Sequence, residues 1–304
     1  MIPPSNPGPP RRAVLGGLAG IVTLAGLSGC GSSSAAGLDG ALADLVTGLD
    51  PAGPYRHPTS DERRQARTAT DQLITGDTGP ATAELYAALG ITVTTVTDTA
   101  TGRRFAVAAG EHHTERAWGL LIIDLTVTAH LLIEIPHPVA DQNTEHLGLT
   151  LLRAVPGAAL IVAGAHRRAA EGRADVAHQP NSLFHVLTEL MADRGLAQLQ
   201  LHGFQDDSLP GMNIVISAGA GQPDPRTEHA ADRLADAGFD VCRAWRRNCG
   251  SLEGRRNAQG RAAADHGQPF THLEINRSTR TDPAQHVKLI DALVSSFHRG
   301  WLIL

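Results

Sequence analysis

Aromatic residues are scarce in this chain, and several familiar functional motifs are missing. Phe, Trp and Tyr make up 4% of the 304 residues, and the formal net charge is −5 at neutral pH. Nucleic-acid-binding surfaces combine a basic stripe with aromatic side chains, so this composition predicts no nucleic-acid partner. The sequence has no G-x-S-x-G turn of a serine hydrolase and no helix-opening glycine loop for a nucleotide. After residue 30, no stretch is long and apolar enough to cross a bilayer.

Cysteine is also scarce, since the chain contains three. Two of them, Cys242 and Cys249, lack the second cysteine pair that a structural metal site needs. They are predicted either to form a disulfide that closes a small loop or to remain free thiols.

The first thirty residues have the organisation of an export signal. Arg11-Arg12 precedes an apolar run, 13–27, that is too short to span a bilayer. Leu27-Ser28-Gly29-Cys30 resembles a bacterial lipobox, in which the cysteine is lipidated and becomes the new N-terminus. Residues 11–17 also resemble a twin-arginine signal, which exports folded proteins. We therefore predict a lipoprotein anchored to the cell membrane through Cys30 on its extracytoplasmic face, with an uncleaved N-terminal anchor as the alternative.

The rest of the chain is predicted to divide into three parts. Residues 31–55 are predicted to be a flexible tether, because 31–37 contains only serine, alanine and glycine. Residues 56–117 carry two helical patterns and two β-rich runs, whose connection through Thr101-Gly102 predicts a hairpin. Residues 118–304 form the predicted catalytic domain.

The pattern in 118–304 predicts an α/β fold, with a mostly parallel mixed sheet flanked by helices. Apolar strands are predicted at 120–123, 131–135, 160–162, 199–201, 213–217, 239–241 and 272–275, and helices at 144–152, 181–192, 228–237 and 283–297. Active sites in such folds lie beyond the carboxyl ends of the strands. Polar residues at those ends are therefore the candidate functional residues.

Three predicted strands end on side chains that bind metals or move protons. His137 follows one strand, His202 ends another, and Glu274 lies in the last. Glu145, in the first turn of a helix, can point back toward His137. Two histidines and a carboxylate around an open position are a standard arrangement for catalytic zinc, which lowers the pKa of a bound water. Glu274 is predicted to carry protons between that water and the departing amine.

Arginines near the same strand ends are candidates for binding a substrate carboxylate. Arg167 and Arg168 follow the strand 160–162, and Arg277 follows the strand that carries Glu274. A guanidinium binds a carboxylate through two parallel hydrogen bonds, although a solvated basic turn is the alternative for Arg168. Asn181 is predicted to line the same cleft.

The order His137, Glu145, His202, Glu274 resembles the zinc carboxypeptidase superfamily. Leu201-His202-Gly203-Phe204 and Leu273-Glu274-Ile275-Asn276-Arg277 are similar to the histidine and glutamate strands of its N-formylglutamate amidohydrolase-like branch and of the related phage poly-γ-glutamate hydrolases. The resemblance covers roughly 118–297, and it implies one zinc ion and hydrolysis of an amide next to a carboxylate. Residue 140 is Ala140, so the tight His-x-x-Glu of the carboxypeptidases is missing, and Asp141 competes with Glu145 as the ligand.

The sequence thus predicts an exported, lipid-anchored, zinc-dependent hydrolase of an amide or peptide bond. Cell-wall peptides, γ-glutamyl chains and N-acyl amino acids are the expected types of acidic substrate. A non-catalytic surface lipoprotein that binds peptides or wall fragments is the alternative. A third interpretation is a protein that handles zinc itself, through histidines in a mobile loop such as His112-His113.

Overall fold

The structure is a computed structural model, and it describes Met1 and residues 37–298. The chain divides into two units, Met1–Ser33 and Ser34–Leu304, and residues 37–298 belong to the second. The predicted export signal with Cys30, and residues 31–36 of the predicted tether, lie outside the described residues. None of the described helices has the length and apolar character needed to cross a membrane.

In the described part of the chain, nine strands form one sheet. The strands are β1 Ile91–Thr97, β2 Arg104–Gly110, β3 Leu120–Asp124, β4 Leu131–Ile135, β5 Ala158–Val162, β6 Ala197–Phe204, β7 Ile214–Ser217, β8 Val241–Arg243 and β9 Phe270–Asn276. Their order across the sheet is β1-β2-β3-β5-β4-β6-β9-β7-β8. The central strands β5, β4, β6 and β9 run parallel, whereas β1, β2, β3 and β7 add antiparallel pairs.

Helices connect the strands and cover the sheet. They are α1 Leu38–Thr47, α2 Ser60–Ile74, α3 Pro80–Ala87, α4 Thr144–Ala154, α5 Ala169–Gly172, α6 Leu183–Asp193, α7 Pro225–Asp236, α8 Ala258–Asp265, α9 Arg277–Thr281 and α10 Pro283–Phe297, with short 3-10 turns at Asp206–Ser208 and Gly250–Glu253. Two apolar clusters lie on the two faces of the sheet. The predicted α/β fold with a mixed sheet flanked by helices is confirmed.

Side-chain alternation along the central strands decides where polar residues lie. Leu199 and Leu201 of β6 pack in one apolar cluster together with Leu273 and Ile275 of β9. Successive side chains of a strand point to opposite faces. The residues that alternate with these four apolar residues therefore point to the other face. Parallel strands also bring their carboxyl ends to one edge, so the ends of β4, β6 and β9 meet there.

Two parts of the N-terminal region differ from the sequence prediction. Helix α1 lies within the predicted tether, and its buried residues Leu38, Leu42 and Leu45 pack against the sheet. The spacing of these leucines makes an apolar stripe on one side of a helix, which becomes stable when the sheet covers it. The tether prediction is therefore wrong for 38–47. The predicted hairpin forms as β1 and β2, but β2 pairs with β3 and so extends the main sheet.

Cys242 and Cys249 form a disulfide, with their Cα atoms 6.1 Å apart. Of the two alternatives left by the sequence, the structure contains the bonded one.

Candidate metal centre

Four polar side chains share one face of the sheet where β6 and β9 end. The strand register places His202 opposite Glu274 and Gln200 opposite His272. Residues two apart in a strand point to the same side, and directly paired residues are close neighbours. The two strands therefore present two neighbouring pairs, His202 beside Glu274 and His272 beside Gln200.

The turn after β4 brings a carboxylate onto the histidines. Asp141 N–H donates to the carbonyl oxygen of His137 at 2.9 Å, which folds the chain back by four residues. The carboxylate oxygen Oδ2 of Asp141 then lies 3.1 Å from Nδ1 of His137 and 3.1 Å from Nδ1 of His202. All three side chains are buried, and their ligand atoms lie within 4.8 Å of one another.

The side-chain amide of Gln200 decides which nitrogen of His202 carries hydrogen. Its Nε2 donates to Glu134 Oε2 at 2.8 Å and to Gln259 Oε1 at 3.2 Å, and these acceptors orient the amide. Its Oε1 therefore faces His202 Nε2, at 2.8 Å. Because that oxygen accepts, Nε2 of His202 is the protonated nitrogen of the neutral ring. Nδ1 then points a lone pair at the carboxylate of Asp141.

The charge state of His202 makes this arrangement unfavourable without a cation. Burial lowers the pKa of His202 to about 4, so the ring is neutral at neutral pH. Two electron-rich atoms then stand 3.1 Å apart with no hydrogen between them. Ligands of a tetrahedral ion with bonds of about 2.0–2.1 Å are about 3.3 Å apart, which fits this spacing. Two imidazole nitrogens and one carboxylate oxygen also suit zinc chemically.

A second carboxylate, that of Asp175, contacts the other ring nitrogen of His137. Nε2 of His137 lies 2.7 Å from Asp175 Oδ1. Burial lowers the pKa of His137, but hydrogen bonds to Asp141 and Asp175 outweigh burial and the pKa is raised overall. A carboxylate behind a metal-binding histidine fixes the ring orientation and increases its basicity. Asp175 also accepts from Arg167 Nη2 at 2.8 Å, so Arg167 lies at the same cluster.

Glu274 and His272 complete the cluster on β9. Glu274 is partly exposed, yet its Oε2 is buried and has no hydrogen-bond partner. Burial, followed by the negative charge of Asp141, raises the pKa of Glu274 well above its usual value. The His272 ring is buried with its centroid 4.8 Å from that of His202, and burial lowers its pKa well below the usual value.

A buried arginine holds together the segments that carry these groups. Arg280 Nε donates to the Ile275 carbonyl oxygen at 3.0 Å, and Nη1 donates to that of Gln142 at 2.5 Å. Nη2 donates to the carbonyl oxygen of Phe204 at 3.3 Å. The guanidinium thus joins the ends of β9 and β6 to the turn that carries Asp141. A Cβ on Gly203 would come within 2.4 Å of the guanidinium, so a side chain at this position would displace Arg280.

The structure brings some predicted site residues together and leaves others apart. His137, His202, Glu274 and Arg167 lie in the cluster. Glu145 is buried, but its Oε2 lies 3.4 Å from Val139 N, and its oxygens are not part of the metal-binding groups. Arg168, Arg277 and Asn181 are exposed, and no hydrogen bond joins them to the cluster within residues 37–298.

Sequence reasoning gave no role to Gln200, His272 or Arg280. Gln200 and His272 each lie two residues before a predicted site residue, so strand alternation already placed them on the same face. Arg280 had no such signal, because its role depends on the carbonyl groups of Gln142 and Phe204, which are distant in sequence.

No protein-family model and no curated protein matches this sequence. Solved structures do match it. The zinc-free apo form of YndL is 12% identical over 60% of this chain and 90% of that chain, with a TM-score of 0.40. A metallo-carboxypeptidase from Burkholderia cenocepacia is 12% identical over 79% of this chain and 69% of that chain, with a TM-score of 0.37. The tripeptide-bound cell shape determinant Csd4 from Helicobacter pylori is 13% identical over 55% of this chain and 50% of that chain, with a TM-score of 0.38. Residue roles in the present chain therefore rest on its own geometry.

Proposed function

We propose that this protein is a zinc-dependent hydrolase of an amide or peptide bond. The observation that carries the proposal is the convergence of Nδ1 of His137 and Nδ1 of His202 on Oδ2 of Asp141, each at 3.1 Å. The proposal gives Asp141 the ligand role for which the sequence favoured Glu145. The reason is that Asp141 contacts both histidines, whereas Glu145 faces the backbone of Val139.

Zinc held by these three residues would supply Lewis-acid activation of a water molecule and of the substrate carbonyl. Glu274 lies across from His202 in the paired strands, with one oxygen that has no other partner. Although that oxygen is buried, the Glu274 residue as a whole is partly exposed, so substrate and water can approach it. We assign to Glu274 the removal of a proton from the attacking water and its delivery to the departing amine.

Arg167 is the best candidate for binding the substrate. Its side chain is 36% exposed and is held at the cluster by Asp175. The guanidinium has donors beyond those directed at Asp175 and at Nδ1 of His137, and a guanidinium suits a carboxylate or a polarised carbonyl. This supports an acidic amide as substrate, of γ-glutamyl, N-acyl amino acid or cell-wall peptide type.

We also propose that the enzyme acts outside the cytoplasm, tethered through lipid on Cys30. The lipobox-like Leu27-Ser28-Gly29-Cys30 supports this localisation. The disulfide between Cys242 and Cys249 suits an oxidising compartment. Mass spectrometry of the N-terminus from membrane fractions tests it, and an unmodified chain that begins at Met1 would contradict it.

Metal analysis of the purified chain tests the catalytic proposal. We expect close to one tightly bound zinc per chain in the parent and almost none in His202→Ala. Glu274→Gln should keep this ion but lose about 10²–10⁴-fold in turnover on acidic amides, because it lacks the proton carrier. His146→Ala is the matched control, since the His146 side chain is 58% exposed. A folded parent that takes up no zinc would reject the proposal and favour the binding-module alternative.

A further inference from the structure

The start of α8 carries two buried amide side chains that face the candidate metal centre. They are Asn257, the residue before the helix, and Gln259 in its first turn, and both are buried. Each contacts the side-chain amide of Gln200, which in turn contacts His202. Helix α8 therefore reaches a proposed zinc ligand through one intervening side chain.

The helix cap determines which end of the Asn257 amide faces the site. Its Oδ1 accepts a hydrogen bond from Gly260 N–H at 3.0 Å, as the N-cap of α8. Because the cap uses the oxygen, the NH2 group is the end that faces Gln200, and Nδ2 donates to Gln200 Oε1 at 2.5 Å. The backbone is also anchored, since Ala258 N–H donates to the Ala177 carbonyl oxygen at 2.8 Å. The position of this donor is thus fixed by the start of the helix.

The amide of Gln200 has a partner at every polar position. Its Nε2 donates to Gln259 Oε1 and to Glu134 Oε2, and its Oε1 accepts from Asn257 and from His202 Nε2. A side-chain amide offers two donor and two acceptor positions, so this set is complete. If the amide turned over, its NH2 group would face the NH2 group of Asn257. The start of α8 therefore favours the observed orientation at both ends of the amide.

The two proposed histidine ligands differ in what contacts the far nitrogen of the ring. Nε2 of His137 faces the carboxylate of Asp175, which accepts through either oxygen and needs no particular orientation. Nε2 of His202 faces a neutral amide, which accepts through only one of its two ends. The amide of Gln200 therefore needs a residue that keeps its oxygen turned toward the ring, and Asn257 makes the contact that does so.

We propose that Asn257 is a positioning residue for the zinc ligand His202 and acts through the amide of Gln200. Its NH2 group keeps Gln200 Oε1 directed at Nε2 of His202. That nitrogen then carries the ring hydrogen, and Nδ1 keeps its lone pair for the metal. The inference rests on the proposed function only where it concerns zinc, because the ring tautomer is a property of the metal-free chain as well.

Asn257→Asp tests the proposal, because aspartate caps a helix as well as asparagine does but has an oxygen in place of the NH2 group. That oxygen opposes Gln200 Oε1 and favours the turned-over amide. Burial raises the pKa of Glu134 to about 8, so this acid carries a proton at neutral pH and can donate to the reversed oxygen. The NH2 group of Gln200 then faces His202 Nε2, and the ring hydrogen moves to Nδ1.

Nitrogen NMR of the histidine rings in the metal-free full chain at neutral pH measures the tautomer, with His202→Ala to assign the signals. We expect hydrogen on Nε2 of His202 in the parent and mainly on Nδ1 in Asn257→Asp. Zinc affinity, measured by equilibrium dialysis, should fall by about 10–100-fold in the same variant, as for other residues that hold a metal-binding histidine in place.

Asn257→Ser is the second variant, since serine keeps the cap but is too short to reach Gln200 and adds no opposing oxygen. It should keep the hydrogen on Nε2 and lose less zinc affinity than Asn257→Asp. Asp224→Asn makes the reverse exchange at the N-cap of α7 and should change neither quantity. Thermal unfolding of each variant shows that the fold is kept.

Two kinds of result overturn this inference and leave the proposed function standing. One is a His202 ring with the same tautomer in the parent and in Asn257→Asp. The other is an equal loss of zinc affinity in Asn257→Asp and Asn257→Ser, which would make the role of Asn257 purely structural. A folded parent that shows the expected tautomers but takes up no zinc overturns the proposed function alone.

Discussion

Within residues 37–298, two clusters of largely buried charged side chains differ in how their charges are satisfied. At one end of the sheet, Arg103 pairs with Asp124 and also donates to the Leu152 carbonyl oxygen at 3.0 Å. Nearby, Arg153 binds Asp39 and Asp98 together. Each carboxylate in this arginine cluster forms an ion pair with an arginine. The oxygens of Asp124 also accept hydrogen bonds from N–H and O–H groups.

The metal centre has the opposite character. There, Nδ1 of His202 and Oδ2 of Asp141 approach one another as acceptors, and two buried atoms nearby have no hydrogen-bond partner. A fully paired cluster stabilises the fold, whereas buried acceptors that face one another need a cation from outside. Buried charged groups are therefore not by themselves a sign of function. Buried acceptors that lack a donor or a cation are such a sign.

Asp124→Ala should have the largest effect, because it disrupts the paired cluster. The Asp124 side chain is fully buried, and its loss leaves Arg103 without its counter-charge. We expect the free energy of unfolding to fall by about 3–5 kcal/mol, as for other broken buried pairs. Urea unfolding measures this. The exposed neighbour Arg104, as Arg104→Ala, is the control, and an equal loss there would contradict the assignment.

Asp141→Asn disrupts the other cluster. We expect zinc affinity to fall by more than about 100-fold, beyond the loss typical of residues that only support a ligand. Without metal, the substitution removes both the contact with the His202 lone pair and the hydrogen bond with His137, so zinc affinity is the quantity to measure. Glu145→Gln is the matched control, and equilibrium dialysis compares the two variants. Weaker zinc binding in Glu145→Gln alone would return the ligand role to Glu145.

Gly203→Ala tests the support beneath the site. A Cβ there would come within 2.4 Å of Arg280, so the guanidinium has to move away from the carbonyls that it joins. We expect a loss of about 1–3 kcal/mol in stability from overpacking, together with weaker zinc binding. Gly221→Ala is the control, since a Cβ there meets its nearest atoms at an ordinary 3.5 Å. A variant as stable as that control, with unchanged zinc affinity, would remove the role of Arg280.

The smallest expected change in stability is that of Glu62→Gln. Glu62 forms an ion pair with Arg56 and is far in sequence from the candidate metal centre. The Arg56 guanidinium beside Glu62 lowers the pKa of that carboxyl to about 2 from 4.5. A carboxylate with a lowered pKa in the folded state stabilises the protein above its unfolded pKa, and this stability is lost as the pH falls toward 2. Glu62→Gln should therefore cost about 1–2 kcal/mol at neutral pH and progressively less below the unfolded pKa. Unfolding of parent and variant across that range measures the difference, and a constant difference would contradict the ion pair.

Much of the fold follows from local patterns. The bounds of β4 and α10 agree with the prediction residue for residue, because each is a clear apolar or amphipathic run with its own boundary signals. Helix α8 was missed, since its sequence combines glycine, alanine and polar residues. It is stable because Ala263 and the Gln259 side chain are buried in the folded chain.

For the site, the sequence alone placed His137, His202 and Glu274 near the carboxyl ends of parallel strands in the mixed sheet, because strand alternation sets which way a side chain points. It left open which carboxylate joins them. The tertiary structure decided for Asp141, through a turn in which Val139 and Asn143 adopt positive φ angles of 65° and 70°. These conformations depend on contacts such as that of Asn143 Nδ2 with the Arg280 carbonyl oxygen, at 2.8 Å. Local sequence sets burial and direction, whereas distances between elements arise only when those elements pack.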